Sequence, residues 1–244
     1  MLETRLGPLA WQSSGQGPTI VFFAGAFANH DLWRDVVTQL QDRYRCVTVD
    51  LPLGAHPRPL NAGADRSAAS LARLLPECLE LLDITDATVV VNDTAGGLLL
   101  LSLASGHPAL GRISRLVLTN CESYDQFPPD SLKRASELSR RFPGLTRAIM
   151  RLQVRLQLRW PAAQRRFSST VTANGIDRER AESFFGPAAR DPRVAADLVA
   201  AMAGFRPQLM LDAAPAIPAF AQPVLLIWGE ECRFFTMAQA RRLA

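Results

Sequence analysis

The stretch VVVNDTAGG, Val89 to Gly97, runs from three valines into an acid and then into Ala95, Gly96 and Gly97. Consecutive β-branched residues favour a strand buried on both faces, and Asn92 and Asp93 end it abruptly. Small residues just past the acid let the chain turn sharply into a helix without crowding its own backbone. The apolar run from Ala95 to Ser105 supplies that helix. Asp93 is therefore expected at the tip of a strand–elbow–helix unit.

The same rhythm extends in both directions. A short hairpin is expected around Gly7 and Pro8, then a strand at Thr19–Phe23 and a helix over Leu32–Leu40 whose apolar face carries Leu32, Val36, Val37 and Leu40. Next come a strand at Arg45–Asp50, a helix at Ser67–Leu82 that contains Pro76, strands at Ala87–Asn92 and Ile113–Thr119, and a last strand in PVLLIW, Pro223–Trp228. Apolar strands alternating with helices predict an α/β fold, with a mostly parallel sheet covered by helices on both faces.

Between residues 123 and 220 the chain is Arg-rich, helical in pattern and interrupted by Pro128, Pro129, Pro161, Gly175 and Pro187. It reads as an inserted helical cap, dividing a core made of residues 1–122 and 221–244. Within it, GLTRAIMRLQVRLQLRW places Arg147, Arg151, Arg155 and Arg159 at four-residue spacing, with Ile149, Leu152, Leu156 and Trp160 among the apolar positions. This pattern predicts one solvated arginine face and one packed apolar face. Recognition of an anionic substrate or a membrane surface is the rarer use of such a helix.

A chain of 244 residues with 48% hydrophobic and 20% charged residues can build a full core. No apolar run approaches the roughly 18 residues of a membrane span, and no secretory leader is visible. A soluble cytoplasmic protein without a membrane partner is expected. The net charge of +4 is spread along the chain, which argues against nucleic acid as a partner. Cys46, Cys78, Cys121 and Cys232 are too scattered for a zinc site or a disulfide framework.

In a parallel sheet, ligands bind beyond the carboxyl ends of the strands. Those tips are Ala24–His30, Leu51–His56, Asn92–Gly97, Asn120–Asp125 and Gly229–Cys232. Asp93 has two readings at its tip: a nucleophile, or an N-cap for the following helix.

At these residues the chain resembles the α/β-hydrolase superfamily, in its Asp-nucleophile form similar to haloalkane dehalogenases and epoxide hydrolases. The elbow places the nucleophile at Asp93, with Val91 where the superfamily has its first glycine. FFAGAFANHDLW resembles the oxyanion loop and helix start, with Ala24 in place of a histidine, while DLPLGAHPRP, LVLTNCESYDQFPP and PVLLIWGEECRFF resemble the later segments.

The resemblance implies that Asp93 attacks an electrophilic carbon to give an ester, which a histidine-activated water hydrolyses. Backbone N–H groups near Ala26 and Thr94 would hold the oxyanion, and Phe27, His30 and Asn120 would line the pocket. It implies a small-molecule substrate of the halide, epoxide or ester class, and no metal or organic cofactor.

Three features depart from the pattern. His30, His56 and His107 are the only histidines, and none follows the last strand. His107 is expected to be structural and His56 a loop residue, while His30 flanks the helix start. Cys232 stands where the resembling W-G-x-x-D pattern has an acid; with an ordinary thiol pKa of about 8.5 it is mostly neutral at pH 7. Glu122 is the preferred substitute as orienting acid, with a solvated loop acid as its other reading.

An apolar strand left at an open sheet edge is unusual, so one further strand and helix beyond Ala244 are expected. Haloalkane dehalogenases resembling this chain follow their nucleophile with Trp, here Thr94, and epoxide hydrolases use paired cap tyrosines, whereas Tyr44 and Tyr124 are the only tyrosines here. The competing reading is a non-catalytic ligand-binding homologue that has lost its triad.

Overall fold

The computed structural model describes residues 1–172 and 174–244. An antiparallel hairpin of β1 (Leu2–Thr4) and β2 (Gly7–Leu9) leads into β3 (Trp11–Ser14) and β4 (Thr19–Phe23). There follow α1 (Arg34–Leu40), β5 (Arg45–Val49), α2 (Ala68–Leu81), β6 (Ala87–Asp93), α3 (Thr94–Leu103) and β7 (Ile113–Cys121). Six helices intervene next: α4 (Asp130–Arg141), α5 (Pro143–Arg159), α6 (Pro161–Val171), α7 (Arg178–Arg190), α8 (Pro192–Gly204) and α9 (Pro207–Ala213). Strand β8 (Val224–Ile227) and α10 (Met237–Leu243) complete the order.

The main sheet runs β3-β5-β4-β6-β7-β8, with β3 antiparallel to β5 and every other pair parallel. This is the α/β architecture expected from the alternating pattern. Strand β6 lies between β4 and β7, and its Val89 and Val91 are fully enclosed. Helix α3 is apolar on every side and correspondingly buried along most of its length, so it anchors the elbow from within the core.

Two faces differ from expectation. On α1, Val37 and Leu40 pack against the cluster around Phe22 and Trp33, but Val36 remains exposed because the short helix presents only part of its apolar arc to the sheet; Leu32, expected on the same face, lies in a separate 3-10 turn, His30–Leu32, and is also exposed. On α5, the buried line is Thr146, Met150, Val154 and Gln157. Arg151 and Arg155 turn toward α7 and donate to the carbonyl of Ala189, at 3.3 and 3.2 Å, near that helix's C-terminus. Ile149, Leu152 and Trp160, expected to pack, face outward instead. The α7–α8 layer thus receives a line lying between the two stripes read from the sequence.

Among the described residues, strand β8 pairs only with β7, and Val224, Leu225 and Ile227 are exposed at that edge. No single described helix is long and apolar enough to cross a membrane.

Candidate active site

Asp93 occupies a backbone conformation of φ 52°, ψ −130°, and the β6–β7 register shifts between Asn92 and Asp93. A non-glycine residue at positive φ stores strain, and such residues concentrate at functional sites. Phe27 at φ 58°, Asn120 at φ 31° and Tyr124 at φ 51° share this left-handed character on the neighbouring loops. The loop tips at the carboxyl end of the sheet therefore carry much of the chain's backbone strain.

Although Asp93 precedes α3, its side chain makes no capping hydrogen bond to that helix. Its Oδ2 instead accepts from the backbone N–H of Ala26 at 2.8 Å and from the Thr94 hydroxyl at 3.2 Å. Among the described residues, no hydrogen bond of ordinary geometry reaches Oδ1. A Cβ at Gly25 would overlap the Asp93 carboxylate, so only glycine permits the loop after β4 to approach this closely. Burial pushes the Asp93 carboxyl above its ordinary value, while the Thr94 and Ala26 amides and the Thr94 hydroxyl pull it back in part.

Glu122 lies just beyond β7 and is buried, so it is not a solvated loop acid. Gly97 makes room for it: a Cβ there would stand 2.8 Å from Glu122 Oε2 and 3.1 Å from the Phe127 ring. Among the described residues, Oε2 has no hydrogen-bond partner. Burial, then the nearby charge of Asp93, raises the Glu122 carboxyl well above the usual range, with Thr94 opposing. Of the two acids, Asp93 has the donors that favour a carboxylate, and Glu122 favours the neutral form.

The remaining expected residues divide. Phe27 is fixed by its N–H to the Leu53 carbonyl at 2.9 Å and meets Phe185 of α7 edge-on at 6.2 Å between ring centres. Asn120 Oδ1 accepts from the Gly229 N–H at 2.9 Å, tying the ends of β7 and β8, and its buried Nδ2 finds no partner among the described residues.

His30 is engaged elsewhere. Its Nδ1 lies 3.0 Å from the buried carboxylate of Asp50, and its N–H donates to the same group at 2.8 Å. The Asp50 hydrogen bond, opposed by burial, raises the imidazole pKa. Its ring borders a cavity of about 340 Å³ that is lined by Gln12, Ser14, Arg34 and Thr48 and does not include Asp93.

His107 accepts from the Ala109 N–H at a helical turn, a structural role. His56 is more than a loop residue. It is buried, accepts from the Gly54 N–H at 3.3 Å through Nδ1, and meets Asp197 of α8 at 3.1 Å through Nε2. Arg66 Nε and the Leu60 N–H donate to the same carboxylate, at 2.6 and 2.9 Å. Asn29 adds a second link, donating to the Ser183 carbonyl at 3.1 Å. Sequence reading missed both latches because their partners are separated by 141 and 154 positions.

Cys232 is partly exposed, and its N–H turns back to the Gly229 carbonyl. Among the described residues, no cluster of three His, Cys, Asp or Glu side chains is placed to hold a metal ion.

The comparisons agree with this architecture. Over 232 residues the chain is 29% identical to haloalkane dehalogenase 2 of Mycobacterium bovis, covering 93% of this chain and 76% of that protein. It is 34% identical over 109 residues to the pimeloyl-[acyl-carrier protein] methyl ester esterase of Vibrio campbellii; that match takes in 45% of this chain and only 39% of the esterase.

Among solved structures, an alpha/beta hydrolase fold protein from Burkholderia ambifaria superposes with a TM-score of 0.77 at 22% identity, over 97% of this chain and 82% of that one. The haloalkane dehalogenase of Bradyrhizobium elkani gives 0.71 at 18% identity, over 97% and 81%. Residues 20–244 match the family described as alpha/beta hydrolase, which takes in the elbow at Asp93, the loop after β4 and β8. With the parallel sheet, the strained acid at its centre and this match in hand, the chain belongs to the alpha/beta hydrolase family.

Proposed function

We propose that this protein is a hydrolase whose Asp93 carboxylate attacks a small apolar electrophile to form a covalent ester. The observation that carries the reading is the asymmetry of the carboxylate: Oδ2 is held by Ala26 and Thr94, and among the described residues no hydrogen bond of ordinary geometry reaches Oδ1. Oδ1 forms the new carbon–oxygen bond as the carbon–halogen bond breaks and the halide leaves with the electron pair. Oδ2 becomes the ester carbonyl oxygen, already seated on the donors that would stabilise negative charge when that ester is attacked.

Glu122 fits an orienting acid, since its buried Oε2 is an acceptor with no donor. Among the described residues, His30, His56 and His107 make no hydrogen bond to Asp93 or Glu122, so none of the three is placed to activate water against the ester. Alkyl halides are favoured over epoxides. The Tyr124 hydroxyl donates to the Arg242 carbonyl at 3.2 Å and Tyr44 packs near Phe22 and Trp33, so neither is placed as a proton donor to an opening ring. The helices between β7 and β8 act as the cap over the site.

Intact-mass measurement after incubation with alkyl bromides and iodides tests the reading. One alkyl adduct should appear, and Asp93→Ala should abolish it. Its rate should rise with pH through the raised Asp93 value, because only the carboxylate attacks. An adduct that persists in Asp93→Ala refutes the assignment. Binding of halides without any mass increase favours the non-catalytic reading, which the engaged histidines support.

A further inference from the structure

The outward face of α5 is unlike the rest of the surface. Phe142, just before the helix, and Leu145, Ile149, Leu152 and Trp160 are 49, 54, 48, 59 and 55% exposed. They are five of the thirteen large apolar side chains most exposed among the described residues. Their spacing of three, four, three and eight positions puts them on one narrow stripe about 25 Å long, opposite the Met150–Val154 line that packs inward. An aromatic ring stands at each end.

Along the segment that carries this stripe charge is of one sign, while Glu137 on the preceding helix lies beside Phe142 and pairs with Arg140. Between Glu137 and Asp177 the chain carries eight arginines and no acidic residue. Arg151 and Arg155 are spent on the C-terminus of α7, but Arg141 and Arg159 are exposed beside the stripe, and Arg147 is exposed on the other side of α5.

We propose that this face of α5 docks the protein on an anionic phospholipid surface, with the helix lying in the headgroup plane, its apolar stripe entering the acyl boundary and the arginines meeting the phosphates. This departs from the expectation of no membrane partner, which rested on the absence of a spanning segment. A second copy of the chain fits less well: pairing the stripe with itself across a two-fold axis would set two acid-free arginine segments against each other. An acidic protein would answer the charge but not an apolar stripe with aromatic ends.

Co-sedimentation with vesicles of phosphatidylcholine, alone or mixed with phosphatidylglycerol, tests the proposal. Binding should be about tenfold or more stronger on the mixed vesicles and should weaken with added salt. Replacing Leu145, Ile149 and Leu152 together by Ser should lower it by about tenfold or more. Because these side chains are exposed, the variant should keep the circular dichroism and melting temperature of the parent. Arg141→Gln and Arg159→Gln should each cost about fivefold on mixed vesicles only.

Tryptophan emission of the unaltered protein should shift to the blue on mixed vesicles, and Trp160→Phe should remove the shift. The proposal is overturned if the protein binds both vesicle types equally, if the triple variant binds like the parent, or if the emission of bound protein is unchanged.

Discussion

Asp197 and the pair Asp93–Glu122 are acids withdrawn from water in one molecule, but their surroundings differ. Asp197 meets the His56 ring, the Arg66 guanidinium and the Leu60 N–H. Burial pushes its carboxyl up, yet these partners together outweigh burial and hold it below the ordinary value. Among the described residues the pair at the elbow has no cation as a partner; Asp93 relies on backbone N–H groups and one hydroxyl, and Glu122 leaves an oxygen unbonded. A buried acid that joins two parts of a fold must be compensated, because leaving it bare costs several kcal/mol. An acid kept for chemistry must retain an uncommitted oxygen.

Alanine substitution should break this contrast most sharply. Asp197→Ala leaves Arg66 and His56 without their shared anion and should lower stability by about 3–5 kcal/mol in urea unfolding. Asp93→Ala removes an acid destabilised by burial and should stay within about 1 kcal/mol of the parent while losing the alkyl adduct. Equal losses in the two variants would dissolve the distinction.

A smaller effect should come from the room made for Glu122. Gly97→Ala places a methyl group 2.8 Å from its Oε2 and 2.9 Å from its Cβ. Overpacking of this kind should cost about 1–3 kcal/mol and slow adduct formation if Glu122 and Asp93 act together.

The His30–Asp50 contact gives a milder intermediate case. The folded imidazole has a pKa raised above 6.5, so its stabilisation is fully present below pH 6.5 and is lost as pH rises through the folded value. Asp50→Asn should cost about 1–2 kcal/mol at low pH, with a gap from the parent that narrows in alkali.

Glu122→Gln should have the smallest effect at pH 4.5, within about 0.5 kcal/mol. The folded Glu122 carboxyl is raised above 4.5, so the parent is favoured below that pH and loses stability as pH climbs through the folded value. The Gln variant should therefore gain on the parent at higher pH, as paired urea titrations would reveal.

Much of the fold was legible because burial writes itself locally. The Thr19–Phe23 run, the Val89–Val91 run and the all-apolar helix after the elbow each declare a two-sided environment in a few residues. Asp93 stood out for the same reason, as an acid where such a run meets small residues. Glu122 was readable only as one of several acids after β7, since its burial depends on Gly97 of another element. The α5 faces were misassigned because two apolar lines coexist on that helix, and its neighbours alone select which is covered.

By itself, then, the order of strands, helices and small residues determined the parallel α/β layout and the elbow at Asp93, since periodicity and steric room are properties of neighbouring positions. Tertiary structure decided which oxygen of Asp93 is held, that His56 belongs to Asp197 and His30 to Asp50, and which side of α5 meets solvent. Each of these depends on a group brought near from a distant part of the chain, and hydrogen bonding and burial act over distances in space that linear spacing does not encode.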